Sequence, residues 1–216
     1  MKYQKVYMPD QIKYHKMIPY FQTTSFTTAA ASLLTIISHL KPDIQHSKLR
    51  EFDIWRSSVN LPTRASSIYA LATYAKKCGL NPKVVVEKKH YQFPDYRFYR
   101  YTKEDVEHAG FTSNMHQKKA ERENVNIEER KMTTDEITEE LKQGKVILLR
   151  LNTKPIWQSK RNTSNYIVLH GYQDDLYHII DPTSGALSIP RETLEEAFDS
   201  LETKKHRDHR MIVFDK

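Results

Sequence analysis

The sequence predicts an α+β fold, and three observations carry that reading. Helical hydrophobic spacing dominates the chain up to about Lys131. Short apolar runs bounded by turn residues, roughly ten residues apart, dominate the rest. Helices and strands are therefore segregated rather than alternating, which separates α+β from α/β architecture. The expected organisation is a single domain over 1–216, helical over about 1–131 and sheet-forming over about 132–216.

The elements follow in order. From Thr28 to Leu40 apolar residues recur at nearly every position, as in a helix buried on most sides. Lys41-Pro42 ends it, because the residue before proline avoids helical geometry. The segment SKLREFDIWRSS reads as a short amphipathic helix. TRASSIYALATYAKKCGL is a helix with Ile68, Leu71, Ala72 and Ala75 on one face. Lys76 and Lys77 suit the negative end of its dipole, and Gly79 suits a left-handed terminator. PKVVVE reads as a strand, and Asp95 to Lys131 as mostly helix. TTDEITEELKQG carries a capping box, Thr133 with Glu136, and stops at Gly144. KVILLRL, NYIVLHGY and LYHIIDP are strands, PRETLEEAFDSL is a helix opened by Pro190, and RMIVFDK is a last strand.

Composition narrows the function classes. The chain has 216 residues, 38% hydrophobic and 28% charged, with thirteen tyrosines and eight phenylalanines, enough to build a core. Neither GxGxxG nor GxxxxGK occurs, which removes the two common nucleotide-binding readings. The net charge of +7 is spread among interleaved acidic residues, so a solvated basic surface is expected rather than a nucleic-acid patch. The stretch Lys88 to Lys103 mixes cations with aromatics as single-strand binders do; packing of those rings on the core, with Lys and Arg stems over them, is the plainer reading. The N-terminal residues lack the apolar run of a signal peptide, and no run is long enough to cross a bilayer, so a soluble cytoplasmic protein is expected.

One cysteine, Cys78, is present; it ends a helix, where a small buried hydrophobe is expected rather than a nucleophile. His206 and His209 in KKHRDHR have only Asp208 nearby, so a solvated loop is expected and no metal site or cofactor.

A hydrolytic constellation is legible in outline. A nucleophile at a helix N-terminus, a base, a group that orients the base and an oxyanion donor are needed at short range. Gln22 lies six residues before Thr28, which opens the buried helix. Asn165 opens one strand of a hairpin turning at Gln173-Asp174-Asp175, and Asp181 closes the other, so their outer ends lie side by side.

At QTTSFTTAAASLL, NYIVLHG and IIDP the chain resembles the bacteriocin-processing, double-glycine-leader cysteine peptidases, family thirty-nine of the papain-like clan, especially a stand-alone peptidase-like branch. The resemblance implies a papain-like fold, with an N-terminal helical part packed on an antiparallel sheet. It also makes Gln22 the oxyanion glutamine and Asp181 the orienting aspartate. The family's nucleophilic cysteine falls on Thr28, the glycine after it on Ala29, and the base histidine on Asn165. A threonine hydroxyl needs a base, and Asn165 cannot serve as one near neutral pH. His170 is five residues from Asn165 and His178 three from Asp181; both odd offsets turn them to the other face. Thr28 is then expected to cap its helix, and Asn165 to hydrogen-bond Asp181.

The reading that follows is a catalytically degenerate peptidase homologue that takes a peptide or protein segment in its groove. Two alternatives stand beside it: an active amide hydrolase or transferase using Thr28 in a rebuilt site, and a basic nucleic-acid or membrane-surface binder.

Overall fold

A computed structural model describes residues 17–90, 101–202 and 208–215. Its elements are α1 (Thr28–Leu40), α2 (Lys48–Ser58), α3 (Ile68–Lys77), β1 (Pro82–Val86), α4 (Lys103–Arg122) and β2 (Asn126–Glu129). They continue with α5 (Thr134–Lys142), β3 (Val146–Asn152), α6 (Lys154–Trp157), β4 (Ser164–Gln173), β5 (Leu176–Asp181), β6 (Gly185–Pro190), α7 (Arg191–Asp199), a 3-10 turn (Ser200–Glu202) and β7 (Arg210–Phe214). The strands form one sheet in the order β2-β1-β7-β3-β4-β5-β6. β1 and β2 pair in parallel and every other neighbouring pair is antiparallel.

The two-residue side-chain period of the strands divides the core. Val84, Val86, Val146, Leu148, Val168, Ile180, Ile212 and Phe214 meet α1, α2 and α3 on one face. Val85, Ile147, Leu149, Leu151, Ile167, Leu169, Ile179, Met211 and Val213 meet α5 and α7 on the other. Helices thus cover both faces of the sheet, which is why KVILLRL and RMIVF read as continuous apolar runs rather than alternating ones. No helix among the described residues is long and apolar enough to cross a membrane.

Most expected elements lie where the spacing puts them. Ser47 caps α2 by accepting from the Arg50 amide, and the Thr133–Glu136 capping box is formed in both directions. The β4–β5 hairpin turns on Asp174 and Asp175, both at positive φ, a conformation that aspartate tolerates. The segment expected to be mostly helix contains α4 but ends in β2, a polar edge strand. β6 and α6 were not expected. α3 starts at Ile68 because Ser66 is held in a bridge to Val59.

The expectation of a solvated loop around Asp208 and His209 is overturned; His206 lies outside the described residues. His209 is only 4% exposed and its ring stacks on Phe198. Its Nδ1 lies 2.9 Å from Glu87 Oε1, its Nε2 2.9 Å from the Phe198 carbonyl, and its backbone N–H donates to Glu87 Oε2 at 3.1 Å. A single packed imidazole therefore joins the end of β1, the start of β7 and the end of α7. Burial pushes the Glu87 carboxyl up, but the bonds and charge from His209 outweigh it and hold Glu87 below its ordinary value of 4.5. A carboxyl lowered by folding stabilises the fold above its unfolded pKa and loses that contribution as pH falls through the folded one. The difference in urea unfolding midpoint between wild type and Glu87→Gln is therefore expected to be full above about pH 5 and to shrink below about pH 4.5. A difference that stays constant down to pH 3 contradicts it.

Candidate functional site

The site is built on the turn that precedes α1. Four donors converge on the carboxylate of Glu51, a fully buried residue of α2. Oε1 accepts from the Thr23 amide at 2.8 Å and the Thr27 hydroxyl at 2.5 Å. Oε2 accepts from the Thr23 hydroxyl at 2.6 Å and the Tyr20 hydroxyl at 3.1 Å. The Tyr20 phenol is pushed up to about 12, first by burial and then by its bond to Glu51 and the charge there. The chain from Tyr20 to Thr27 is thereby pinned to α2, and α1 must start where it does.

This corrects the reading of Thr28 as the helix cap. Thr27 is the N-cap, but its side chain accepts no helix N–H; its hydroxyl donates to Glu51 and lies 2.9 Å from the Thr24 hydroxyl. Thr28 is the first residue of α1, half-buried, and it lines a cavity of about 420 Å³.

Asn165 lines the same cavity. It lies three residues before Val168, which pairs with Ile180, and Asp181 follows Ile180 by one. Both offsets are odd, so Asn165 and Asp181 share a face of the sheet. The expected Asn165–Asp181 hydrogen bond is not formed. Asp181, 2% exposed, gives one oxygen to the Trp157 indole N–H at 3.0 Å and the other to the Thr183 amide at 2.6 Å. Gln22 is tied to that corner: its backbone N–H donates to the Pro182 carbonyl at 2.9 Å. Its side-chain Oε1 is buried with no partner among the described residues. Two pairs result. Thr28 and Asn165 meet at the cavity, and Gln22 and Asp181 meet at the turn after β5.

The two candidate substitute bases stay elsewhere. His170 occupies an irregularity in the β4–β5 register, between Leu169 and Gly171. Its ring lies 6.2 Å from that of His178, whose Nδ1 is 2.8 Å from the Ser188 hydroxyl. Burial pushes His178 down. Neither histidine lines the cavity. Cys78 is half-buried against the α1–α3 core, and burial pushes its thiol up, away from nucleophilic character. Among the described residues no group of three or more His, Cys, Asp or Glu is placed to hold a metal ion. Of the aromatic and basic Lys88–Lys103 stretch, residues 91–100 lie outside the described residues.

Sequence reasoning missed the groups that shape the site most. Glu51 looks like a solvent residue of an amphipathic helix. Trp157 sits on α6, a helix of four residues. Arg150 and Arg210 sit in strands and reach the cavity wall. Glu51 carried one usable signal, since a charged residue flanked by Ile54 and Trp55 in a helix beside a threonine-rich turn offers an acceptor to that turn.

The sequence profile of the Peptidase_C39 like family matches residues 18–213, and the chain belongs to that family. Among solved structures, a C39-like peptidase from Bacillus anthracis matches 94% of this chain and 96% of its own, with a TM-score of 0.51 and 12% identity. A double glycine motif protease from an AMS/PCAT transporter, crystallised with the leader peptide, matches 92% of each chain, with a TM-score of 0.46 and 14% identity. At such identities the Bacillus anthracis likeness shows the fold alone, that of the papain-like C39 peptidases. A comparison with curated proteins returns no match.

Replacing Glu51 by alanine removes the shared acceptor of four donors, of which the Thr27 hydroxyl is buried, the Tyr20 hydroxyl half-buried and the Thr23 pair on an exposed residue. A buried group left unsatisfied costs about 1–3 kcal/mol, so Glu51→Ala is expected to lower stability by about 1–3 kcal/mol in urea unfolding. A loss below about 1 kcal/mol contradicts the role given to this carboxylate.

Proposed function

We propose that this chain is a catalytically silent member of its family, acting in the cytoplasm, that holds an extended peptide or protein segment against the cavity beside Thr28 and Asn165. The observation that carries the reading is the make-up of that cavity. Its described lining contains hydroxyls, amides, guanidiniums and tyrosines, and no histidine, cysteine or carboxylate. A hydroxyl nucleophile needs a proton acceptor within hydrogen-bond reach, and the Thr28 hydroxyl has none of that kind in the lining. The frame around it is intact: the helix start is pinned, Gln22 is tethered to Pro182 and Asp181 is held from both oxygens. A frame that is kept while both reacting groups are replaced suits recognition by backbone pairing and side-chain pockets.

The test is direct. Purified protein is incubated with a mixed peptide library and the products are read by mass spectrometry. No new termini are expected, and binding measured on immobilised library peptides is expected to survive Thr28→Ala. Turnover that Thr28→Ala abolishes refutes the reading.

A further inference from the structure

Two aromatic rings stand partly exposed at the turn after β5. Phe21 is 54% exposed and Trp157 39%, and neither makes a ring contact with another aromatic or a cation among the described residues. Both close on a single cross-strand pair, Asp181 with Gly185, where β5 meets β6. The Trp157 indole N–H donates to Asp181 at 3.0 Å. A Cβ at position 185 would lie 3.2 Å from the tip of the Phe21 ring, so the ring rests against the glycine. Directly opposed residues of antiparallel strands are about 4.5–5.5 Å apart, so the two rings flank one small floor. Each ring is also held in place. The Tyr20 and Gln22 amides on either side of Phe21 donate to the Thr35 hydroxyl and the Pro182 carbonyl, and the indole N–H fixes Trp157. A fixed, half-sunken aromatic pair loses little freedom on binding and suits the anchoring of one apolar side chain.

The charge beside the pair narrows what fits there. Lys154 lies three residues before Trp157 on α6, and Lys160 and Arg161 lie three and four residues after it. All three are exposed, and none of their side chains has an ion-pair partner among the described residues. The exposed carboxylates of α7, Glu192, Glu196 and Asp199, make no ion pair with them. A segment that brings its own carboxylates therefore complements this surface. The pair is also within reach of the cavity. Phe21 is seven residues from Thr28, at most about 25 Å along the chain, which an extended segment of about eight residues spans. Both rings are about half covered by protein, which suits insertion of one side chain rather than burial in a lipid surface.

We infer that Phe21 and Trp157 form a subsite for one aromatic or large aliphatic side chain of an acidic peptide, whose carboxylates fall against Lys154, Lys160 and Arg161. The inference rests on the peptide-binding reading and names the kind of peptide that is selected.

Three acetylated and amidated octapeptides of alanine and serine are titrated against the full chain by protein-observed NMR at low salt. The first carries a phenylalanine flanked by aspartates, the second has alanine for the phenylalanine, and the third has lysines for the aspartates. The first is expected to bind about tenfold more tightly than the second, the worth of one well-buried ring. It is expected to bind at least about threefold more tightly than the third. Phe21→Ala is expected to bring the first ratio close to one, and Lys160→Gln with Arg161→Gln to narrow the second. Equal binding of the first two peptides, or a phenylalanine preference that survives Phe21→Ala, overturns the subsite and leaves the peptide-binding reading standing. Equal binding of the aspartate and lysine peptides overturns the acidic partner. Vesicles of phosphatidylserine and phosphatidylcholine are the control: binding to them that Phe21→Ala abolishes, with no phenylalanine preference among the peptides, overturns the inference in favour of a lipid surface. Binding of none of the three peptides overturns both readings.

Discussion

The carboxylate of Glu51 organises this molecule more than any other single group. It is fully buried and bonded by neutral donors, two hydroxyls of threonine, one of tyrosine and one backbone amide. A buried charge is tolerated only when its lone pairs are filled, and here they are filled entirely from one short turn. That turn carries Gln22 and leads directly into Thr28. The bonding satisfies the charge and at the same time sets the entry angle of α1. From there the positions propagate. Ser32 of α1 donates to the Tyr166 carbonyl of β4, which sets the helix over the strand that bears Asn165. At the other end, the Gln22 amide closes on Pro182, beside Asp181. A few hydrogen bonds thus place Thr28 and Asn165 on one cavity and hold Gln22 and Asp181 together at the turn after β5.

The parts of the fold legible in the sequence are those whose partner is generic. KVILLRL and RMIVF need only an apolar environment on each side, and any packed sheet provides it. The Thr133–Glu136 box is complete within four residues. Elements with a weak apolar signal were missed. β2 is the polar NIEE at a sheet edge, and β6 carries few buried side chains. Such edge strands keep little hydrophobic periodicity because one side of the ladder faces no neighbour. α6 is too short for any periodicity to register.

The candidate site was legible as positions and illegible as bonds. Gln22, Thr28, Asn165 and Asp181 were found from motif order, and Thr28 and Asn165 do line one cavity. The bonds that fix this region and the sheet ends were not found, because most of them join residues far apart in sequence. Thr27 bonds Glu51 across 24 residues, Asp181 bonds Trp157 across 24, and His209 bonds Glu87 across 122. Local propensity made Thr28 look like a cap and His209 look solvated. Tertiary contacts decided both otherwise. The make-up of the wall beside Thr28 is itself informative: it holds arginines and hydroxyls, groups that bind and orient but do not abstract a proton near neutral pH.

The central claim is that a peptidase frame persists here without its reacting pair. It is tested most directly by restoring that pair, with Thr28→Cys and Asn165→His in one chain, and measuring the pH dependence of iodoacetamide labelling at position 28 by peptide-resolved mass spectrometry. A retained frame places the new thiol at the α1 N-terminus beside an imidazole, so labelling is expected to be half-maximal well below the ordinary cysteine value of about 8.5. Labelling that follows an ordinary thiol, with its midpoint near 8.5 or above, contradicts the claim.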